Sequence, residues 1–165
     1  MIFLTVGNWH KGFDRLVEAV DKLKACNVIT EDVIAQIGPG KYIPAKMKVI
    51  SYCSPTRFAD ILAESRVIIT HAGIGTIGQA IGFRKPVIVV PRKPELGECS
   101  DSHQLTTAKH LEKEGKILVA YEVSDLLDKL KQADNFVPCK EQGGKKIIQA
   151  VETFIEALAD QKFST

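Results

Sequence analysis

The chain repeats one pattern: a short run of apolar, mostly β-branched residues, a break, and then a stretch whose apolar positions recur at helical spacing. Runs of Val and Ile without polar alternation are strands buried on both faces, and strands that alternate with helices build a parallel sheet. Strands are expected at 2–6, 33–37, 48–51, 67–70, 87–90 and 117–120. Between the first two, Phe13, Leu16, Val17, Val20 and Leu23 follow a 3.6-residue period. Further helices are expected at 55–64, opened by Ser54 and Pro55, and at 76–83, 102–114, 124–132 and 144–159. The pattern predicts an α/β fold: a doubly wound parallel sheet of about six strands, Rossmann-like. At 165 residues the chain fits one domain over 1–165, with 141–165 contributing a C-terminal helix.

Composition narrows the functional classes. The 22 basic and 20 acidic side chains leave a net charge of +2 with no concentrated basic face, which argues against a nucleic-acid binder. Cys26, Cys53, Cys99 and Cys139 form no C-x-x-C pair and read as free thiols of a reducing compartment. The apolar start at 2–6 is too short for a secretory leader, and no apolar stretch reaches the ~20 residues of a membrane span. A cytoplasmic location is expected, with room for peripheral work at a membrane.

Ligands of open α/β sheets bind at the carboxyl ends of the strands. The segment Thr70-His71-Ala72-Gly73-Ile74-Gly75-Thr76-Ile77-Gly78-Gln79 joins the fourth strand to a helix. Glycines at a helix start bring backbone N–H groups to an anion, and the helix dipole favours its charge. His71 and Thr76 add side-chain donors, which outlines a diphosphate site. Gly73-x-Gly75-x-x-Gly78 also matches the dinucleotide fingerprint, with Glu95 as its acidic partner. That fingerprint belongs to the first strand–turn–helix unit and here follows the fourth strand. An NAD(P)- or flavin-dependent oxidoreductase domain therefore stays as an alternative. So do a glycine turn that serves only close packing and a non-catalytic nucleotide-binding interaction module.

Three loops together are more specific. His71-Ala72-Gly73-x-Gly75-Thr76, Lys85-Pro86-Val87-Ile88-Val89-Val90-Pro91 and Asp101-Ser102-His103-Gln104 resemble the C-terminal domain of glycosyltransferase family 28. Met1-Ile2-Phe3-Leu4-Thr5-Val6-Gly7 and Phe13-Asp14-Arg15-Leu16 are similar to the small stand-alone members of that group. These are the soluble subunit of the dolichol-linked N-acetylglucosaminyltransferase and the small subunits of bacterial exopolysaccharide glycosyltransferases. The resemblance implies the C-terminal half of a GT-B fold that binds a UDP-sugar as substrate, with no cofactor and no metal.

Carried over, the resemblance implies that Gly7, Asn8, His71, Gly73, Gly75 and Thr76 hold the donor diphosphate. Gln79 stands where such enzymes often have a ribose-binding glutamate; an amide bonds a diol without charge assistance. Tyr52 is available to stack on the base, or to pack under the following helix. His103 and Gln104 would address the donor sugar, where the residues alone read equally as a helix N-terminus. His10 is the candidate general base in the first loop, whereas the resembling families usually place that base on the other domain. Trp9 beside it reads as a partner-facing anchor or as a loop residue folded back on the core. The other half of a GT-B cleft would come from a membrane-associated subunit carrying a lipid-linked acceptor. The apolar stripe Ile147, Ile148, Val151, Phe154, Ile155 and Leu158 suits such a contact, or packing on the chain's own domain.

Overall fold

The computed structural model describes residues 1–50 and 52–139. The helix expected at 144–159, with the rest of 141–165, lies outside the described residues, as does Ser51. The strands are β1 (Ile2–Thr5), β2 (Val33–Gln36), β3 (Lys48–Ile50), β4 (Val67–Thr70), β5 (Val87–Val89) and β6 (Leu118–Val119). The helices are α1 (Asp14–Ala25), α2 (Pro55–Glu64), α3 (Ile74–Gly82), α4 (His103–Lys113) and α5 (Leu126–Ala133). All pairings are parallel, in the order β3-β2-β1-β4-β5-β6. The doubly wound architecture expected from the alternating pattern is present.

Period-two alternation along the strands sorts the core into two layers. Ile2, Leu4 and Val6 face α1 and α5, where Phe13, Leu16, Val17, Val20, Leu126 and Leu130 complete one cluster. Phe3, Ile68, Val87 and Val89 face the other way, against Ile61 and Leu62 of α2, Ile77 and Ala80 of α3, and Ala108 and Leu111 of α4. Phe3 meets Phe58 edge-on at 5.4 Å between ring centroids. Because α1 leaves β1 toward one face and α3 leaves β4 toward the other, the chain parts between β1 and β4. A crevice opens at their carboxyl ends.

Local differences from the expected boundaries have local causes. Helix α2 begins as expected, with Ser54 Oγ accepting from the Arg57 N–H at 3.2 Å. Helix α3 begins two residues earlier than expected, at Ile74. Gly73 is its N-cap, and the Ile77 N–H already bonds the Gly73 carbonyl at 3.1 Å. Glycines carry no side-chain pattern, so no period can be read through them. Before α5 the chain makes a 3₁₀ turn at Val123–Asp125, closed by a capping box between Glu122 and Asp125.

One buried carboxylate ties the irregular β2–β3 connection to α1. Asp21 is 4% exposed and accepts from the Tyr42 hydroxyl at 2.8 Å and from the N–H groups of Ala45 and Lys46 at 3.0 and 2.8 Å. Burial opposes its charge, yet these hydrogen bonds hold the carboxyl below its ordinary pKa. A lowered carboxylate pKa adds stability above the unfolded-state value, lost as pH falls through the folded one. Asp21→Asn should lower stability by about 1–3 kcal/mol at pH 7, since the amide turns an N–H₂ toward protein donors. It should also flatten the loss of stability below pH ~4 relative to wild type, as read by urea denaturation across pH.

Candidate functional site

A cleft of about 430 Å³ lies at the carboxyl ends of β1, β2 and β4. Of the expected site residues it is lined by Gly7, Asn8, Tyr52, His71, Gly73, Gly75, Thr76 and Gln79. Tyr52 is 72% exposed, so its ring stands over the cleft and is not packed under α2. Gln79 sits one turn along α3 from Thr76, exposed on the helix face that borders the opening.

The geometry is set by His71. Its ring lies between two glycines: a Cβ on Gly7 would come within 2.8 Å of His71 Cε1, and one on Gly73 would overlap Nε2. Gly7 also has φ of 72°, which L side chains rarely adopt. Both positions therefore require glycine so that the loops after β1 and β4 can close on one imidazole. Burial, the nearby Arg92 guanidinium and, opposing them, the Thr5 carbonyl set the ring's protonation, pushing its pKa down from 6.5 to about 4. His71 is thus a neutral ring at physiological pH, a hydrogen-bond donor without charge.

The opposite wall is polar. Thr5 Oγ1 donates to Gln36 Oε1 at 2.6 Å, and Gln36 Nε2 donates to Asn8 Oδ1 at 3.1 Å. Thr5 and Gln36 are fully or nearly fully buried at the ends of β1 and β2. Sequence reasoning misses both, together with Cys53 and Phe58, which also line the cleft. The available signal is a polar residue closing an otherwise apolar strand: Thr5 after Ile-Phe-Leu and Gln36 after Val-Ile-Ala. At the other end, the α3 N-terminus places backbone N–H groups at Gly75 and Thr76, with no side-chain cap. These free donors and the helix dipole suit an anion.

His10, His103 and Gln104 do not line this cleft. His10 is exposed and lies against Trp9, with ring centroids 4.6 Å apart. His103 is exposed at the start of α4, its N–H bonded to Asp101 Oδ1 at 3.0 Å. Gln104 is held in a structural role. Its Oε1 accepts from the Ala72 N–H at 3.2 Å and the Arg92 N–H at 3.1 Å, joining the loops after β4 and β5. Only its amide nitrogen is left for another partner.

The buried neutral histidine has a measurable consequence. The unfolded chain takes up a proton near pH 6.5 and the folded chain only near 4, so stability should decline as pH falls through that window. His71→Gln should remove this part of the slope, on the order of 2–3 kcal/mol across the window, in denaturation curves of both proteins. Gly73→Ala should expel the ring and destabilise by roughly 1–3 kcal/mol, with the His71 titration moving back toward its ordinary value by NMR.

Over residues 1–160 the chain matches the glycosyltransferase family 28 C-terminal domain. It is 31% identical over 125 residues to the human "UDP-N-acetylglucosamine transferase subunit ALG13", covering 70% of this chain and 10% of that protein. The mouse protein of the same name is 30% identical over the same share. The chain thus spans about a tenth of the length of these curated relatives. Among solved structures, the NMR structure of ALG13 superposes with a TM-score of 0.62 at 19% identity, covering 90% of this chain and 93% of that one. The calicheamicin glycosyltransferase CalG4 gives 0.59 at 17% identity, with 80% of this chain matching 34% of that one. These likenesses bear out the expected fold, one half of a GT-B architecture. Sequence and fold together place the chain in the family of the glycosyltransferase family 28 C-terminal domain.

Proposed function

We propose that this chain is the donor-binding component of a two-component glycosyltransferase, seating a UDP-sugar and serving an acceptor that a partner subunit holds. The observation that carries this reading is the cleft itself. One imidazole, two loop glycines and an uncapped helix N-terminus converge there, with an exposed tyrosine at the rim. In this reading the diphosphate lies against Gly7, Asn8, His71, Gly73, Gly75 and Thr76. Gln79 meets the ribose and Tyr52 stacks on the uracil. Gln104, through its amide nitrogen, and His103 lie toward the sugar. The name of the human relative, a UDP-N-acetylglucosamine transferase subunit, supports both a uridine donor and the need for a further subunit.

Transfer of a glycosyl group leaves negative charge on the departing nucleoside diphosphate. Fixed amides and a neutral imidazole donor stabilise that charge without having to reorganise. His71, unprotonated and walled by glycines, suits donation to a phosphate oxygen. In this reading His10, exposed on the loop after β1, is the group of this chain assigned to an acceptor that the partner holds. The lipid-linked acceptor and its membrane-associated holder belong to the partner in this reading. No helix among the described residues is long and apolar enough to cross a membrane.

The oxidoreductase alternative is not favoured. The glycine fingerprint follows β4, not β1, and Glu95 lies exposed in the 3₁₀ turn Pro94–Leu96, away from any strand end. Calorimetric titration separates the readings. UDP should bind saturably and NAD should not, and His71→Ala and Thr76→Ala should each weaken UDP by roughly tenfold or more. NAD binding in place of UDP would overturn the donor-site assignment.

A further inference from the structure

Behind the cleft lies a positive charge that none of the lining residues explains. Arg92 follows β5 and is 1% exposed. Its Nη1 donates to the carbonyls of Lys11, Gly12 and Glu98 at 3.2, 2.8 and 3.2 Å, and its Nη2 to that of Val6 at 3.0 Å. Its Nε is buried with no partner. The guanidinium carbon stands 4.7 Å from the centroid of the Phe13 ring. Every hydrogen-bond partner of the guanidinium is a neutral carbonyl.

The one carboxylate that acts on Arg92 is engaged elsewhere. Glu98 Oε1 and Oε2 accept from Arg15 at 2.8 and 2.9 Å, and Oε2 also accepts from the Lys93 N–H at 2.9 Å. Cys99, the other titratable neighbour, is pushed up by burial and stays a neutral thiol. Among the described residues Arg92 therefore has no ion pair. An arginine remains charged even when burial disfavours it, and a buried cation lacking an anion is costly.

The direction of that charge is informative. The Val6 carbonyl that Arg92 holds belongs to the same peptide unit as the Gly7 N–H, and Gly7 lines the cleft. The backbone N–H of Arg92 shares Gln104 Oε1 with Ala72, next to His71. The Arg92 side chain thus braces the loop after β1 against that after β5, and Gln104 joins the latter to the loop after β4. The Arg92 field reaches the imidazole where they meet. An anion in the cleft would be the missing counter-charge.

We propose that Arg92 is a positioning residue of the donor site, clamping the loop after β1 and setting a permanent positive charge behind the diphosphate seat, so that the cleft selects ligands by phosphate charge. This rests on the donor-site reading above. The ligand class it favours is a nucleoside diphosphate over the monophosphate and the free nucleoside.

The test titrates the wild-type chain, Arg92→Met, Arg92→Lys and Glu98→Gln with UDP, UMP and uridine, and follows the His71 ring by NMR across pH. Arg92→Met should weaken UDP roughly tenfold while changing uridine by no more than about twofold, as expected for a charge acting at several ångströms. Arg92→Lys should restore part of the UDP affinity. The His71 midpoint should rise from about 4 toward 6.5 in Arg92→Met and stay lower in Arg92→Lys. Glu98→Gln, which keeps an acceptor but removes a negative charge, should tighten UDP. If Arg92→Met does not fold, Glu98→Gln decides alone, and unchanged UDP affinity there overturns the proposal. Equal UDP binding by wild type and Arg92→Met overturns it while leaving the donor site standing. Parallel losses of UDP and uridine with an unmoved His71 midpoint would reduce Arg92 to a structural brace. A wild-type chain that binds no UDP would sink the donor-site reading and this inference together.

Discussion

Parallel pairing of β1 with β4, which sets Thr5 opposite Thr70, is the constraint from which the site follows. It brings the loop that begins at Val6 beside the loop that begins at His71. Because the helices after these strands cover opposite faces, neither loop can close over the other. The open space between them is the cleft. Shifting the register by one residue would turn Phe3 and Leu4 to the wrong layers, so the same apolar alternation that builds the core fixes the site.

Within that frame His71 and its two glycines behave as one unit. The ring is buried because Gly7 and Gly73 leave it room, and it is neutral because it is buried beside Arg92. In the proposed donor site, a neutral donor is better matched than a charged imidazole to a group whose charge grows during transfer. Arg15, Glu98, Arg92 and Phe13 form the layer that supports it, with both guanidinium groups over the one aromatic ring. The short segment Phe13-Asp14-Arg15-Leu16 therefore links the start of α1 to the loop after β5.

The strands are legible in the sequence because Val and Ile runs buried on both faces have few other readings. The residues of the cleft are legible because glycines, a histidine and a threonine between a strand and a helix point to anion chemistry. What stays hidden depends on partners distant in sequence. Nothing in the sequence marks Arg92 after Pro91 as buried, since arginine is almost never fully buried. Gln104 is expected at the donor sugar or at a plain helix N-terminus, and neither reading foresees that its side chain ties together two loops. Asp21 looks like the polar face of α1 until the turn near Ala45 and Lys46 folds onto it. The early start of α3 is masked by glycines, which leave no periodicity to read.

Backbone NMR of the labelled chain titrated with UDP reads out whether the cleft at the ends of β1 and β4 is a nucleotide seat. A nucleotide seat there should give saturable amide shifts at Gly7, Asn8, Gly73, Gly75, Thr76, Gln79 and Tyr52. Shifts concentrated instead around Ile29, Leu127 and Leu130, at the amino ends of the strands, would overturn that assignment, as would a spectrum that UDP leaves unchanged.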